Sequence, residues 1–207
     1  MNGVARLVSY VFHPLWMPLA GVLLVMTHYP EISFVRLPPR LVYFICGAVS
    51  AFTILMPLLT LLLMKALRLA DSIMLYRRQE RILPMTLSLL YYLLSFVFLK
   101  NLDIIPEPVT DISLAATLVV LFALLVTLFW QISLHLLSLG ALLGFLTALS
   151  FTYGVDFRGY IYLTAAVSGI TAFARLELNA HTPTEVYVGF ISGFAVAFPL
   201  LSLLLFL

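Results

Sequence analysis

The sequence predicts an all-α, polytopic transmembrane helix bundle, and three observations carry that prediction. Of the 207 residues, 63% are hydrophobic and only 10% charged, with a mean hydropathy of +1.14, whereas an ordinary soluble domain is charged at roughly a quarter of its positions. The apolar residues come in runs close to the ~20 needed to cross a hydrocarbon core as helix. Those runs are continuously apolar, whereas barrel strands would alternate polar and apolar over segments of roughly ten residues. This composition excludes a soluble enzyme, a disulfide scaffold and a disordered tail. A formal net charge of +2 without a long basic run gives no reason to expect a nucleic-acid partner.

The first apolar segment, near Val8 to Thr27, contains His13 and is interrupted by Pro14 and Pro18. It reads as a kinked span or a partly interfacial helix, so the count is six to seven spans. Arg6 is a thin basic region and no small-x-small pattern ends the run before His28, so a cleaved signal peptide is not expected. The second segment, Leu41 to Leu67, holds the single cysteine, Cys46, expected to be a small buried hydrophobe and unable to form an intrachain disulfide. Further spans follow near Leu83 to Leu99, Ile112 to Trp130, Leu134 to Ser150, Tyr160 to Ala174 and Val186 to Leu207. Pro38-Pro39, Pro106 and Pro108 read as turn-formers in the loops, and Trp16 and Trp130 as interfacial anchors. The pairs Gly140/Gly144 and Gly189/Gly193 have GxxxG spacing, which lets neighbouring backbones approach closely. With no linker, repeat or low-complexity tract, residues 1–207 read as one domain.

Polar residues concentrate in three clusters. These are Arg77-Arg78-Gln79-Glu80-Arg81 with Pro84, then Ser133 and His135, then Arg175, Asn179, His181 and Glu185. Two spans separate the first cluster from the second and two more separate the second from the third, so all three return to one membrane face. Charged groups in a bilayer usually face a cavity or pair with one another, because each costs ~2.5–3.5 kcal/mol at a helix centre on insertion scales. Several arginines with two histidines and one carboxylate suit an anion, and guanidinium forks match phosphate oxygens. The plainer reading of Arg77, Arg78 and Arg81 is a cytoplasmic anchoring cluster. His181 and Glu185, four residues apart, share a helical face, so the carboxylate can fix the tautomer of the imidazole. That spacing fits a nucleophile or base with its orienting group, although a histidine near an interface can also be a simple polar cap.

These strings carry a family resemblance. Arg175, His181 and Glu185, followed by Gly189 and Gly193, resemble the third signature (SRxxxxxHxxxD) of the type 2 phosphatidic acid phosphatase and vanadium haloperoxidase superfamily. Ile132-Ser133-Leu134-His135 is similar to its second signature, PSGH. Arg78, Arg81 and Pro84 resemble the first, KxxxxxxRP, in a different spacing. A branch of small bacterial membrane proteins in that superfamily carries similar RxxRIxP, ISxH and ARLxLNAHTP strings. The resemblance implies that His181 attacks phosphorus to form a phosphohistidine, with Glu185 holding its ring. It implies that His135 is the general acid for the leaving alcohol and then the base that activates water. Arg78, Arg81, Ser133 and Arg175 would bind the phosphoryl oxygens. Neither a metal nor a cofactor is implied, and His13 and His28 are expected on distant segments.

The chain departs from the family pattern at Ala174, where serine is usual, at Glu185 for aspartate and at Leu134 for glycine, and it lacks the lysine of the first signature. A phosphate site at a bilayer face implies a lipid phosphate: phosphatidic acid, phosphatidylglycerol phosphate, a polyprenyl phosphate or diphosphate, or a lipid A phosphate. The expected location is the bacterial cytoplasmic membrane. Seven basic residues on the motif side face four opposite, but without Arg78, Arg81 and Arg175 the sides are equal, so charge does not orient the site. Two other classes fit the same residues: a non-catalytic protein binding anionic lipid, and a small transporter relaying protons through His135, His181 and Glu185.

Overall fold

The computed structural model describes residues 2–68 and 78–204; Arg77 and the last three residues of the seventh predicted span lie outside them. The described residues form α1 (Asn2–Val11), a 3-10 turn (Pro14–Trp16), α2 (Met17–Ser33), α3 (Pro39–Ser50), a π-helical turn (Ala51–Leu55), α4 (Met56–Ala66), α5 (Arg78–Lys100), α6 (Glu107–Thr127), α7 (Leu134–Tyr153), α8 (Arg158–Glu177) and α9 (Pro183–Leu204). No strand occurs among them. Each predicted segment is therefore helical. Five stretches, Gly3–Ser33, Pro39–Ala66, Arg78–Lys100, Glu107–Thr127 and Leu134–Tyr153, are long and apolar enough to cross a membrane. Helices α8 and α9, with 20 and 22 residues, match such a crossing in length but are not among those five.

Prolines account for the irregularities. The residue before a proline is pushed out of the helical region, and His13, before Pro14, is extended (φ −69°, ψ 140°). The first segment thus breaks into α1 and α2 at Pro14, while Pro18 sits in the first turn of α2, and His13 Nδ1 accepts from the Leu15 N–H at 3.4 Å to cap the 3-10 turn. Pro57 follows the π-helical turn after one residue, Met56. Its ring would crowd the carbonyl four residues earlier, and widening the preceding turn relieves that clash.

At the centre stands α7, apolar on every side and packed against α2, α6, α8 and α9. Its closest neighbour is α9, where the two GxxxG pairs meet. A Cβ on Gly193 would collide with the Leu137 carbonyl oxygen, and one on Gly140 with that of Phe190. Glycine is required at these positions because the obstacle is backbone, which cannot swing aside. The same approach brings the start of α9 against the start of α7, where the Ser133 N–H donates to the Glu185 carbonyl at 3.1 Å. At the far end of the bundle, His28 of α2 packs on the rings of Phe157 and Tyr160, at 4.9 and 5.1 Å.

Candidate active site

The turn between α8 and α9 holds the central pair. Asn179 ends α8 in the left-handed region (φ 49°), a conformation asparagine tolerates better than most residues. The Ala180 N–H donates to the Arg175 carbonyl at 3.1 Å and the Asn179 N–H to that of Leu176 at 2.9 Å, the paired bonds of a Schellman stop. Helix α9 then opens with a capping box, Thr182-Pro183-Thr184-Glu185. The Glu185 N–H donates to Thr182 Oγ1 at 3.4 Å, and Glu185 Oε2 accepts from the Thr182 N–H at 3.2 Å. The same Oε2 accepts from His181 Nδ1 at 2.7 Å. A carboxylate only accepts, so Nδ1 carries the proton and the neutral ring keeps its lone pair on Nε2. Burial pushes the imidazole below the ordinary histidine range; the Glu185 hydrogen bond opposes that shift, while Arg175 and Arg81 reinforce it. A neutral, oriented imidazole with an available Nε2 lone pair results.

Ser133 meets the start of α9 through its N–H, which donates to the Glu185 carbonyl. It is the N-cap of α7, but its hydroxyl makes no capping bond. That hydroxyl is buried and has no hydrogen-bond partner among the described residues. A buried unsatisfied polar group costs about 1–3 kcal/mol, so the position favours a ligand that can pair with it. The neighbouring Leu134 packs with the apolar cluster of Met85, Val119, Ala123, Ile132 and Leu137.

Two arginines, Arg81 and Arg175, border the pair, and a third, Arg78, holds the end of α6. Arg81, in the first turn of α5, interacts electrostatically with Glu185 and His181. With the Gln131 amide turned so that its oxygen faces Arg81, that oxygen accepts from Nη1 and Nη2, both at 3.2 Å. Arg175, in the last turn of α8, donates from Nη1 to Ser9 Oγ at 3.2 Å. Arg78 Nη1 donates to the carbonyls of Thr127 and Leu128 at 3.3 and 2.5 Å, where a cation complements the C-terminus of α6.

The sequence-derived site residues Arg81, Ser133, His135, Arg175, His181 and Glu185 therefore gather at one end of the bundle, with Arg78 at its edge on α6. His28 is distant, as expected. His13 is not: its ring meets that of His135 edge-on, with centroids 5.3 Å apart. The break before Pro14 carries it there. Ser9 and Gln131 also join the site and were missed; the only signal for either was adjacency, Gln131 lying two residues before Ser133. Among the described residues, no three His, Cys, Asp or Glu side chains are grouped so as to hold a metal ion. Compared with family models, curated proteins and solved structures, the chain matches none.

Proposed function

We propose that this protein is an integral-membrane phosphatase of the type 2 phosphatidic acid phosphatase kind, hydrolysing a lipid phosphomonoester or diphosphate. The observation that carries the reading is the His181–Glu185 pair, fixed by the α9 capping box beside two guanidinium groups and a buried, unpaired serine hydroxyl. In the proposed reaction, His181 Nε2 attacks phosphorus as the bond to the leaving oxygen breaks, and His135 gives that oxygen a proton. The products are a phosphohistidine and the leaving group, an alcohol from a phosphomonoester or a lipid monophosphate from a diphosphate. His135 then takes a proton from water as the water oxygen attacks phosphorus, releasing phosphate and restoring His181. Glu185 stabilises the positive charge that develops on His181. Arg81, Arg175, Ser133 and the first amides of α7 stabilise the phosphoryl oxygens, aided by the positive end of the α7 helix. Arg78 supports the site by fixing the end of α6.

A phosphate site at the end of an apolar bundle suits a substrate whose chains stay in the bilayer, which supports a lipid phosphate over a soluble ester. The apolar helices support a membrane location, and the resemblance to small bacterial proteins favours the bacterial cytoplasmic membrane. The test is phosphate release by the purified protein from a panel of phosphatidic acid, phosphatidylglycerol phosphate, polyprenyl phosphates and lipid A phosphate. At least one lipid is expected to turn over, and His181→Ala, His135→Ala and Arg175→Ala each to abolish most of that turnover. No release from any lipid, or undiminished release by all three variants, overturns the reading.

A further inference from the structure

Helix α1 stands outside the three polar clusters, yet it reaches the site through one residue. Ser9 is buried, 8% exposed, on the face of α1 that also buries Ala5, and α1 packs against α8. Its hydroxyl accepts from Arg175 Nη1 at 3.2 Å, and its carbonyl oxygen lies 3.0 Å from His135 Nε2. Ser9 thus connects α8 and α7 from a third element.

We propose that Ser9 is a positioning residue that aims the anion-binding arginine through its hydroxyl and fixes the proton-transfer histidine through its carbonyl; this rests on the phosphatase reading above. A carbonyl oxygen only accepts, so His135 Nε2 carries a proton whenever this bond is made. Proton exchange with the leaving group and with water is then confined to Nδ1. As acid, His135 holds protons on both nitrogens and gives up the one on Nδ1; as base, it receives one there while Nε2–H stays on Ser9. Backbone carbonyls commonly set the tautomer of working histidines in this way. His13 adds a steric limit, because its ring stands edge-on to His135 at 81° and restricts rotation of that imidazole. The two site histidines are therefore oriented through opposite nitrogens, His181 through Nδ1 by Glu185 and His135 through Nε2 by Ser9.

Two measurements test the assignment without turnover. The first is titration of purified protein with inorganic phosphate. Ser9→Ala removes the hydroxyl and keeps the carbonyl, so phosphate affinity is expected to fall about tenfold, the scale of one hydrogen bond to a charged group, and Ser9→Thr to restore it. The second is the imidazole nitrogen NMR spectrum of histidine-labelled wild-type protein, with His135 assigned by its loss in His135→Gln; the neutral ring is expected to be the Nε2–H tautomer. With an active lipid, Ser9→Ala is expected to raise KM by a similar factor with little change in kcat. Phosphate affinity within about twofold of wild type in Ser9→Ala, or an Nδ1–H tautomer at His135, overturns the role of Ser9. Wild-type protein that binds phosphate but hydrolyses no lipid overturns the phosphatase reading instead, and wild-type protein that binds no phosphate overturns both.

Discussion

Replacing Glu185 by glutamine separates the two things this side chain does. Glutamine serves equally at the third position of a capping box, so the start of α9 is expected to hold and the thermal unfolding temperature to stay close to that of wild type. The side-chain oxygen can still accept from His181 Nδ1 and the Thr182 N–H, now made at 2.7 and 3.2 Å. The negative charge is lost. Exchanging a charged for a neutral acceptor removes about 1–1.5 kcal/mol from such a bond. Full loss of attraction between a carboxylate and an imidazolium-like ring would remove about 4 kcal/mol at ~4 Å and an effective dielectric of 20. These limits correspond to a fall in kcat/KM of roughly fivefold to a thousandfold. The pH profile has a definite sign. Burial, Arg175 and Arg81 lower the His181 pKa, and Glu185 raises it. The nucleophile must be neutral, so the acid limb of kcat/KM lies below the ordinary histidine value of about 6.5 in the wild type. Removing the negative charge weakens the one raising influence and moves the limb further to acid while the plateau drops. The assay is initial-rate phosphate release across pH on whichever lipid is turned over. A plateau reduced less than about threefold, or an acid limb that stays put or moves to higher pH, would refute the argument that Glu185 acts electrostatically on His181.

Two further expectations concern the scaffold. Gly193→Ala should lower stability by about 1–3 kcal/mol or more in a detergent unfolding assay, because the new Cβ meets the Leu137 carbonyl, which cannot repack. Gly47→Ala in α3 is the control: nothing lies within 4 Å of its Cβ position, and the change should be neutral or stabilising by up to ~1 kcal/mol from helix propensity. Arg78→Met should destabilise the protein by about 1 kcal/mol through loss of the α6 carbonyl contacts, while kcat/KM stays within a few-fold of wild type. A larger loss of activity than of stability would assign Arg78 directly to the phosphate.

Much of this arrangement was readable because membrane sequences write their rules in coarse terms. Runs of apolar residues located the long helices, though not α1 (Asn2–Val11) as a helix of its own, and polar residues, expensive in lipid, marked the end where they gather. The glycine pairs at Gly140/Gly144 and Gly189/Gly193 announced a close contact, although not which helices would share it. That α7 is central could not be read from its composition, since lipid tails are as apolar as a protein interior and a helix greasy all round suits either. Arginine spacing alone did not distinguish a guanidinium on an anion, as proposed for Arg81, from one on a helix C-terminus, as at Arg78. The i,i+4 spacing of His181 and Glu185 was legible as a shared face, but the capping box with Thr182 that holds the carboxylate in position came only with the structure. Ser9 was the least legible element, because half of its contribution is a backbone carbonyl, and a carbonyl has no signature in sequence.

Helix ends also indicate where a phosphoryl group would sit. Of the helices that begin at this end, α7 and α9 start on either side of the Ser133–Glu185 backbone contact, and each directs the positive end of its dipole there. At α9 the carboxylate of Glu185 already provides a negative charge and a hydrogen-bond acceptor. At α7 the Ser133 hydroxyl is present but makes no capping bond, so that end keeps more of its capacity to attract an anion. The backbone amide of Leu134 is available whatever its side chain, which packs with the Met85 cluster. Ser133→Ala should accordingly weaken inorganic-phosphate binding, as one lost hydrogen bond to a charged group requires, about 1.5–3 kcal/mol. The ligand-free protein should not be destabilised by the same change and could gain up to about 1 kcal/mol, since an unpaired buried hydroxyl is removed. An ordinary structural serine would show the reverse, lower stability and unchanged phosphate affinity, and that result would move the anion away from α7.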